Sequence, residues 1–266
     1  MANKSIVTIL KRISVTLCMI TYINCTSQLS KEEQQIINQA KENFVFVEGG
    51  TFIMGENNTP IAPEHEVTLS SYSISKYETT WKEYDLFRKK NGLEIMAPDY
   101  RDTVEGYCDS CPAKKASWYT AKEYCQWLGK QLNLPLDLPT EAQWEFAARS
   151  RGKNVFHATD NGKIVGSYTV KRNYDLNKKV GSFAPNPLGI YDMSGGRPEW
   201  TNDYMWAYEG PVTDPRFDTI DLNKEKVVRG FHNLYNSTYL RGSRDPNLID
   251  GNIGFRCACN KETPVN

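Results

Sequence analysis

The stretch Val227 to Cys259, VVRGFHNLYNSTYLRGSRDPNLIDGNIGFRCAC, decides how the chain is read. It opens on a β-branched pair and Arg229-Gly230, runs through a segment dense in Asn, Tyr, Ser and Arg, and closes on the strand-like run Ile253-Gly254-Phe255-Arg256-Cys257. Two framework pieces thus hold an adaptable loop between them. Between Arg229 and Arg256 there is no thiol, and the carboxylates are Asp245 and Asp250 alone. Rings and small polar groups are what adaptable recognition surfaces use, so recognition is easier to build here than catalysis.

Working outward, 266 residues suffice for one large domain or two small ones and for a proper core. Lys plus Arg equals Asp plus Glu at 32 each, so no global field steers the chain toward nucleic acid or an anionic membrane. The 15 Tyr and 6 Trp suit a loop-rich fold whose irregular segments are pinned by large rings.

Residues 1–27 read as an export signal. Lys4, Lys11 and Arg12 precede an apolar run from Ile13 to Ile23 that is too short to span a bilayer. Cys25 is either the lipid-modified first residue of a lipoprotein, anchoring the domain so that it faces the periplasm, or a bystander to ordinary cleavage after Ser27. Residues 28–43 are polar, begin with a capping box at Ser30 and Glu33, and read as a short leader helix or spacer. One domain from 44 to about 260 follows, with no internal repeat or linker to divide it.

The run from Phe44 to Gly55 reads as two short strands hinged at a Gly49-Gly50 turn, and His65–Leu69 with Tyr72-Ser73-Ile74 as a further strand pair. Thr80 with Glu83, Ser117, and Thr140 with Gln143 each start a helix carrying aromatic core residues: Trp81, Tyr84 and Phe87, then Trp118, then Trp144 and Phe146. From Gly152 onward helical periodicity stops. After the signal there are five cysteines, Cys108, Cys111, Cys125, Cys257 and Cys259, an odd number for an oxidising compartment.

Several pieces recur in a distinctive order: Gly49–Gly55 (GGTFIMG), Ser117-Trp118-Tyr119-Thr120-Ala121 leading to Tyr124-Cys125-Gln126-Trp127, and Leu138-Pro139-Thr140-Glu141-Ala142-Gln143-Trp144-Glu145. Val180–Asn186, Leu188–Met193 and Gly251-Asn252-Ile253-Gly254-Phe255-Arg256-Cys257 complete the series. Together they resemble the formylglycine-generating enzyme (sulfatase-modifying factor) family over nearly the whole mature chain. The resemblance implies an irregular, loop-rich α+β single domain related to the C-type lectin fold, with bound calcium. It also implies a disulfide between Cys125 and Cys257, worth roughly 4 kcal/mol in the chain-entropy model.

The chemistry departs from the family. Members that oxidise a substrate cysteine hold a cuprous ion on two thiols, because Cu(I) binds harder ligands weakly. Those positions fall here on Tyr235 and Leu240, so no copper is expected, and the Gly-Ser-Trp before them is replaced by Phe231-His232-Asn233. In Ser194-Gly195-Gly196-Arg197-Pro198-Glu199-Trp200-Thr201 the family's calcium-ligating Asn has become Gly196, while Glu199 stays. Calcium wants six to eight oxygens, which leaves Glu199, with Asn173 and Asp175 in another loop, as candidate ligands. His65, His157 and His232 are scattered, against an iron centre. Cys108-Asp109-Ser110-Cys111 is a CxxC in a loop, without a second CxxC for zinc, and reads as a local structural disulfide.

The sequence therefore points to a non-catalytic module that binds a protein partner, such as an envelope protein or a secreted toxin for which it acts as immunity or accessory protein. Its candidate contacts are His232, Asn233, Tyr235, Asn236, Tyr239 and Arg241, with Trp200 and Trp206 as stacking platforms. The competing expectation is an oxidase that matures sulfatases by a variant route.

Overall fold

Residues 65–75 place apolar side chains largely at alternate positions, the period of a strand with one buried face, and residues 44–54 are rich in β-forming Phe, Val and Ile. The computed structural model describes residues 29–57, 59–95, 108–163, 178–217, 224–231, 237–249 and 252–266. In it the two segments form a single antiparallel ribbon. Strand β1 (Phe44–Val47) pairs with β4 (Tyr72–Ser75), and β2 (Gly50–Met54) with β3 (His65–Leu69). The register runs unbroken from Phe44 opposite Ser75 to Met54 opposite His65.

This corrects the two hairpins expected from the sequence, because the ribbon's turn lies between β2 and β3 and not at Gly49-Gly50. Gly49 marks the point where the ribbon passes from one sheet into another. A Cβ there would stand 2.3 Å from the Leu69 carbonyl oxygen, an approach that glycine alone permits. Beyond the crossing, β7 (Val212–Thr213) extends the β2–β3 sheet in parallel, and β10 (Ala258–Cys259) runs antiparallel between β4 and β5 (Leu136–Asp137).

Helix α1 (Lys31–Glu42) starts as the sequence suggests. Ser30 N donates to Glu33 Oε2 at 2.8 Å, and Glu33 N to Ser30 Oγ at 3.2 Å. It is no spacer, however: Ile37 and Ala40 are buried in one core cluster with Phe44, Trp81 and Tyr84, so the domain begins before residue 44. Helices α2 (Trp81–Lys90), α3 (Trp118–Leu132) and α4 (Glu141–Ala148) begin at Thr80, Ser117 and Thr140, and each of these hydroxyls accepts a first-turn amide.

Two apolar clusters meet at the first sheet. One gathers α1, α2 and α3 around Tyr84, Tyr124 and Phe255, whose rings meet edge to face at 5.5–6.1 Å. The other packs α4 against the ribbon, with Phe146 on Phe52 at 5.0 Å. Cys125 of α3 is bonded to Cys257, as the resemblance implies, and Cys108 to Cys111; Cys259 is a buried free thiol.

After α4 the described chain contains no further helix. Strands β6 (Glu199–Tyr204), β8 (Lys226–Arg229) and β9 (Arg241–Arg244) form a third antiparallel sheet, whose β6 and β8 pack on α4.

Gly49→Ala should lower stability by about 1–3 kcal/mol, the usual cost of forcing atoms into filled space. A urea midpoint unchanged from the parent would show that the ribbon can open at this crossing.

Candidate functional site

Helix α4 has every one of its residues buried, so its two carboxylates have no water to face. Glu141 and Glu145 stand one turn apart and project to the same side. Arg229, the last residue of β8, spans both: Nη1 lies 3.0 Å from Glu141 Oε1, and Nη2 lies 2.6 Å from Glu145 Oε2. The same guanidinium donates to the carbonyls of Thr238 at 2.6 Å and Tyr239 at 3.2 Å. Arg241 takes the other Glu141 oxygen at 2.5 Å and donates to the Trp206 carbonyl at 2.7 Å and the Ile61 carbonyl at 3.3 Å.

Arg149 completes the set, 2.8 Å from Glu145 and 2.8 Å from the Ile53 carbonyl, while Gly55 N and Tyr208 Oη also donate to the two carboxylates. Three guanidiniums thus share two carboxylates, and loops around 55–61, 206–208 and 238–241 are tied to one helix. Burial alone would pull Arg229 down, but Glu145, Tyr208 and Glu141 outweigh it and push its pKa above the usual arginine range.

Asp203 stands at the start of α4, accepting from Glu141 N at 2.5 Å and Phe217 N at 2.7 Å. Burial raises its pKa to about 6, against the lowering effect of these two amides. His65, half-buried nearby, is pushed down by burial.

A second pair lies deeper. Arg256 grips Glu199 with Nε at 2.7 Å and Nη2 at 2.7 Å, and Trp144 Nε1 adds a third donor at 2.9 Å. Arg256 also donates to the carbonyls of Ser75, Lys76 and Tyr191. Glu78, fully buried beside it, accepts from Arg197 N at 2.7 Å, and burial together with Glu199 and Asp192 raises its pKa well above the carboxylate range.

Three of the expected site residues are placed otherwise. Trp200 is fully buried and donates to the Ala116 carbonyl, so it is a core residue and no stacking platform. Arg241 is 4% exposed and spent on Glu141, so it orders the loops and does not present itself. Glu199, expected as a calcium ligand, has both oxygens occupied by Arg256 and Trp144 and neutralises a guanidinium. At Gly196 a Cβ would fall 2.3 Å from the Asp192 carbonyl oxygen, so this backbone has no room for an asparagine.

Trp206 is 42% exposed, but Phe217 stacks parallel to its ring at 6.0 Å and Lys224 Nζ sits 3.1 Å from its centre. Tyr239 is partly exposed, edge-on to Phe156 at 5.4 Å. His232, Asn233, Tyr235, Asn236, Asn173 and Asp175 lie outside the described residues. Sequence reasoning misses Glu145, Arg149 and the joint role of Arg229. Their signal is Glu141-x-x-x-Glu145-x-x-x-Arg149, charges at helical spacing in a run whose other residues are apolar except Gln143.

An irregular α+β domain of small sheets, whose loops are gathered on buried arginine–carboxylate pairs, is the class these features define. The chain belongs to the family described as "Sulfatase-modifying factor enzyme 1-like domain", which matches residues 28–261. Formylglycine-generating enzyme of Mus musculus is 25% identical over 289 residues, covering 82% of this chain and 75% of the enzyme. Serine/threonine-protein kinase pkn1 of Chlamydia pneumoniae is 28% identical over 240 residues, covering 81% of this chain and 38% of the kinase. The structure of PvdO from Pseudomonas aeruginosa superposes with a TM-score of 0.66 at 25% identity, over 81% of this chain and 93% of PvdO.

Glu145→Gln should cost about 3–5 kcal/mol, since it leaves Arg229 and Arg149 buried with too little negative charge; a denaturation midpoint within error of the parent would refute the network's structural role. The raised Asp203 gives a pH signature. The folded state holds this proton up to about pH 6 and the unfolded state only to about 3.8, so the group's contribution is full below 3.8 and is lost as pH rises through 6. Between pH 5 and 7.5 it should remove about 1 kcal/mol, visible as a pH-dependent term that disappears in Asp203→Asn.

Proposed function

We propose that this chain is an exported, non-catalytic protein-binding member of its family, with its recognition loop on the 229–241 hairpin. The observation that carries the reading is the pair Tyr235 and Leu240, a phenol and an aliphatic chain at the positions matching the family's two copper thiols. Neither is a ligand for a soft cuprous ion. The cysteines of the described residues do not replace them: Cys108 and Cys111 bond each other, Cys125 bonds Cys257, and Cys259 is buried. The match to pkn1, where the domain occupies 38% of a protein named for another chemistry, supports a scaffold that is not tied to aldehyde formation.

The ion network suits this role. Arg229 and Arg241 hold the Thr238, Tyr239, Trp206 and Ile61 carbonyls from behind, so these backbone segments are fixed before any partner arrives and less entropy is lost there on association. The partner class is a protein, either a secreted effector held by an immunity or accessory protein or an envelope component. The site of action is the periplasm, reached through the segment 1–27.

Two measurements test this. Titrating the oxidised chain with Cu(I) against a chromophoric chelator should give no stoichiometric uptake, and a cysteine-bearing peptide should remain free of aldehyde in air. Tight uptake or aldehyde would restore the oxidase. In a pull-down from envelope extract, Tyr235→Ala with Tyr239→Ala should lose the partner that the parent recovers, and equal recovery would count against this surface. Arg241 is unsuitable for that control because its loss disturbs the network.

A further inference from the structure

In the sequence, the Cys108–Cys111 turn stands in a loop with no helix start beside it. The fold brings one to it. Its carbonyls receive the first amides of α2: Trp81 N donates to the Cys111 carbonyl at 3.0 Å and Lys82 N to the Asp109 carbonyl at 3.0 Å. The turn is therefore fastened through its carbonyls to the N-terminus of a ten-residue helix, the end whose dipole favours a nearby thiolate. The two sulfurs are not equivalent. Cys108 is partly exposed, whereas Cys111 is 3% exposed, so an incoming thiolate has access to Cys108 and the leaving thiolate forms at Cys111.

Beside the turn lies a cleft of about 800 Å³, with Asp109 and Ser110 in its wall. Along α1 its other wall presents Gln35, Gln39 and Asn43. These carboxamides recur every four residues, a rise of about 6 Å, close to the span of two residues of extended chain. Each offers a donor and an acceptor, which is what an extended backbone requires. Tyr124 and Leu128 give the cleft an apolar floor for side chains.

We propose that Cys108–Cys111 is a thiol–disulfide exchange site that oxidises a dithiol in an extended polypeptide bound in this cleft. One substrate thiolate attacks Cys108 Sγ, the Cys108–Cys111 bond breaks, and Cys111 leaves as a thiolate in a mixed-disulfide complex. The second substrate thiolate attacks its bonded neighbour, forming the substrate disulfide and releasing Cys108. Two electrons and two protons pass from substrate to the cysteine pair, and a low-molecular-weight disulfide restores it by the reverse exchange. The proposal stands apart from the binding role above, which is non-catalytic as regards the family's copper chemistry, since none of its residues belongs to the 229–241 hairpin.

The full chain tests it directly. After equilibration in glutathione buffers, alkylation and mass mapping should place the Cys108–Cys111 potential above that of Cys125–Cys257 by at least about 30 mV, a tenfold difference in equilibrium constant. A reduced two-cysteine peptide should become oxidised as Cys108 and Cys111 become reduced. Gln39→Ala should slow that reaction between about twofold and tenfold, the loss of one hydrogen bond, and leave the rate with glutathione unchanged. Cys111→Ser should capture a peptide disulfide at Cys108, and Cys108→Ser should capture none. If Cys108–Cys111 resists reduction as Cys125–Cys257 does, the exchange site is overturned. If peptide and glutathione react equally per thiol, the cleft is overturned as its docking place.

Discussion

Two carboxylates on a helix without water around it must be answered by cations, and the fold is arranged so that they are. Arg229 is the centre of that answer, because one planar guanidinium reaches Glu141, Glu145 and two loop carbonyls at once. Lysine, whose three donors share one nitrogen, lacks the planar fork that spans both carboxylates and both carbonyls. Removing charges in matched sets costs a fold little, whereas removing one partner strands the others. The backbone around Ile61, Trp206, Thr238 and Tyr239 is therefore tied to the helix on which these charges converge.

The same logic governs the second pair. Glu199 and Arg256 come from β6 and from the run ahead of β10, and Arg256 also collects carbonyls from residues 75, 76 and 191. Where regular secondary structure is scarce, backbone acceptors in irregular segments need donors from elsewhere. Arginine, with five donors, is the economical supplier. The Cys125–Cys257 bond reinforces the same junction from the α3 side.

Much of this architecture is legible in the amino-acid sequence alone. Capping boxes at Ser30, Thr80 and Thr140 set the starts of three helices because their signal is local, a hydroxyl and a carboxylate or carboxamide three residues apart. The aromatic stripes fall in the core for the same reason. Strand pairing is obscured at Gly49, where a glycine pair mimics a turn while the true partner lies some twenty residues on. The site divides similarly. Identity at Tyr235 and Leu240 is plain in the letters, but Arg241 and Trp200 look like surface residues until Glu141 and the Ala116 carbonyl are brought beside them. Contacts between distant parts of the chain carry no local mark.

Strand β10, at residues 258–259, is inserted between β4 and β5. Until it arrives, the sheet holds an open slot with two unpaired edges, and such edges invite pairing with other chains. A molecule in which this two-residue strand is displaced therefore carries an incomplete sheet, a sticky species in place of a slightly loosened one.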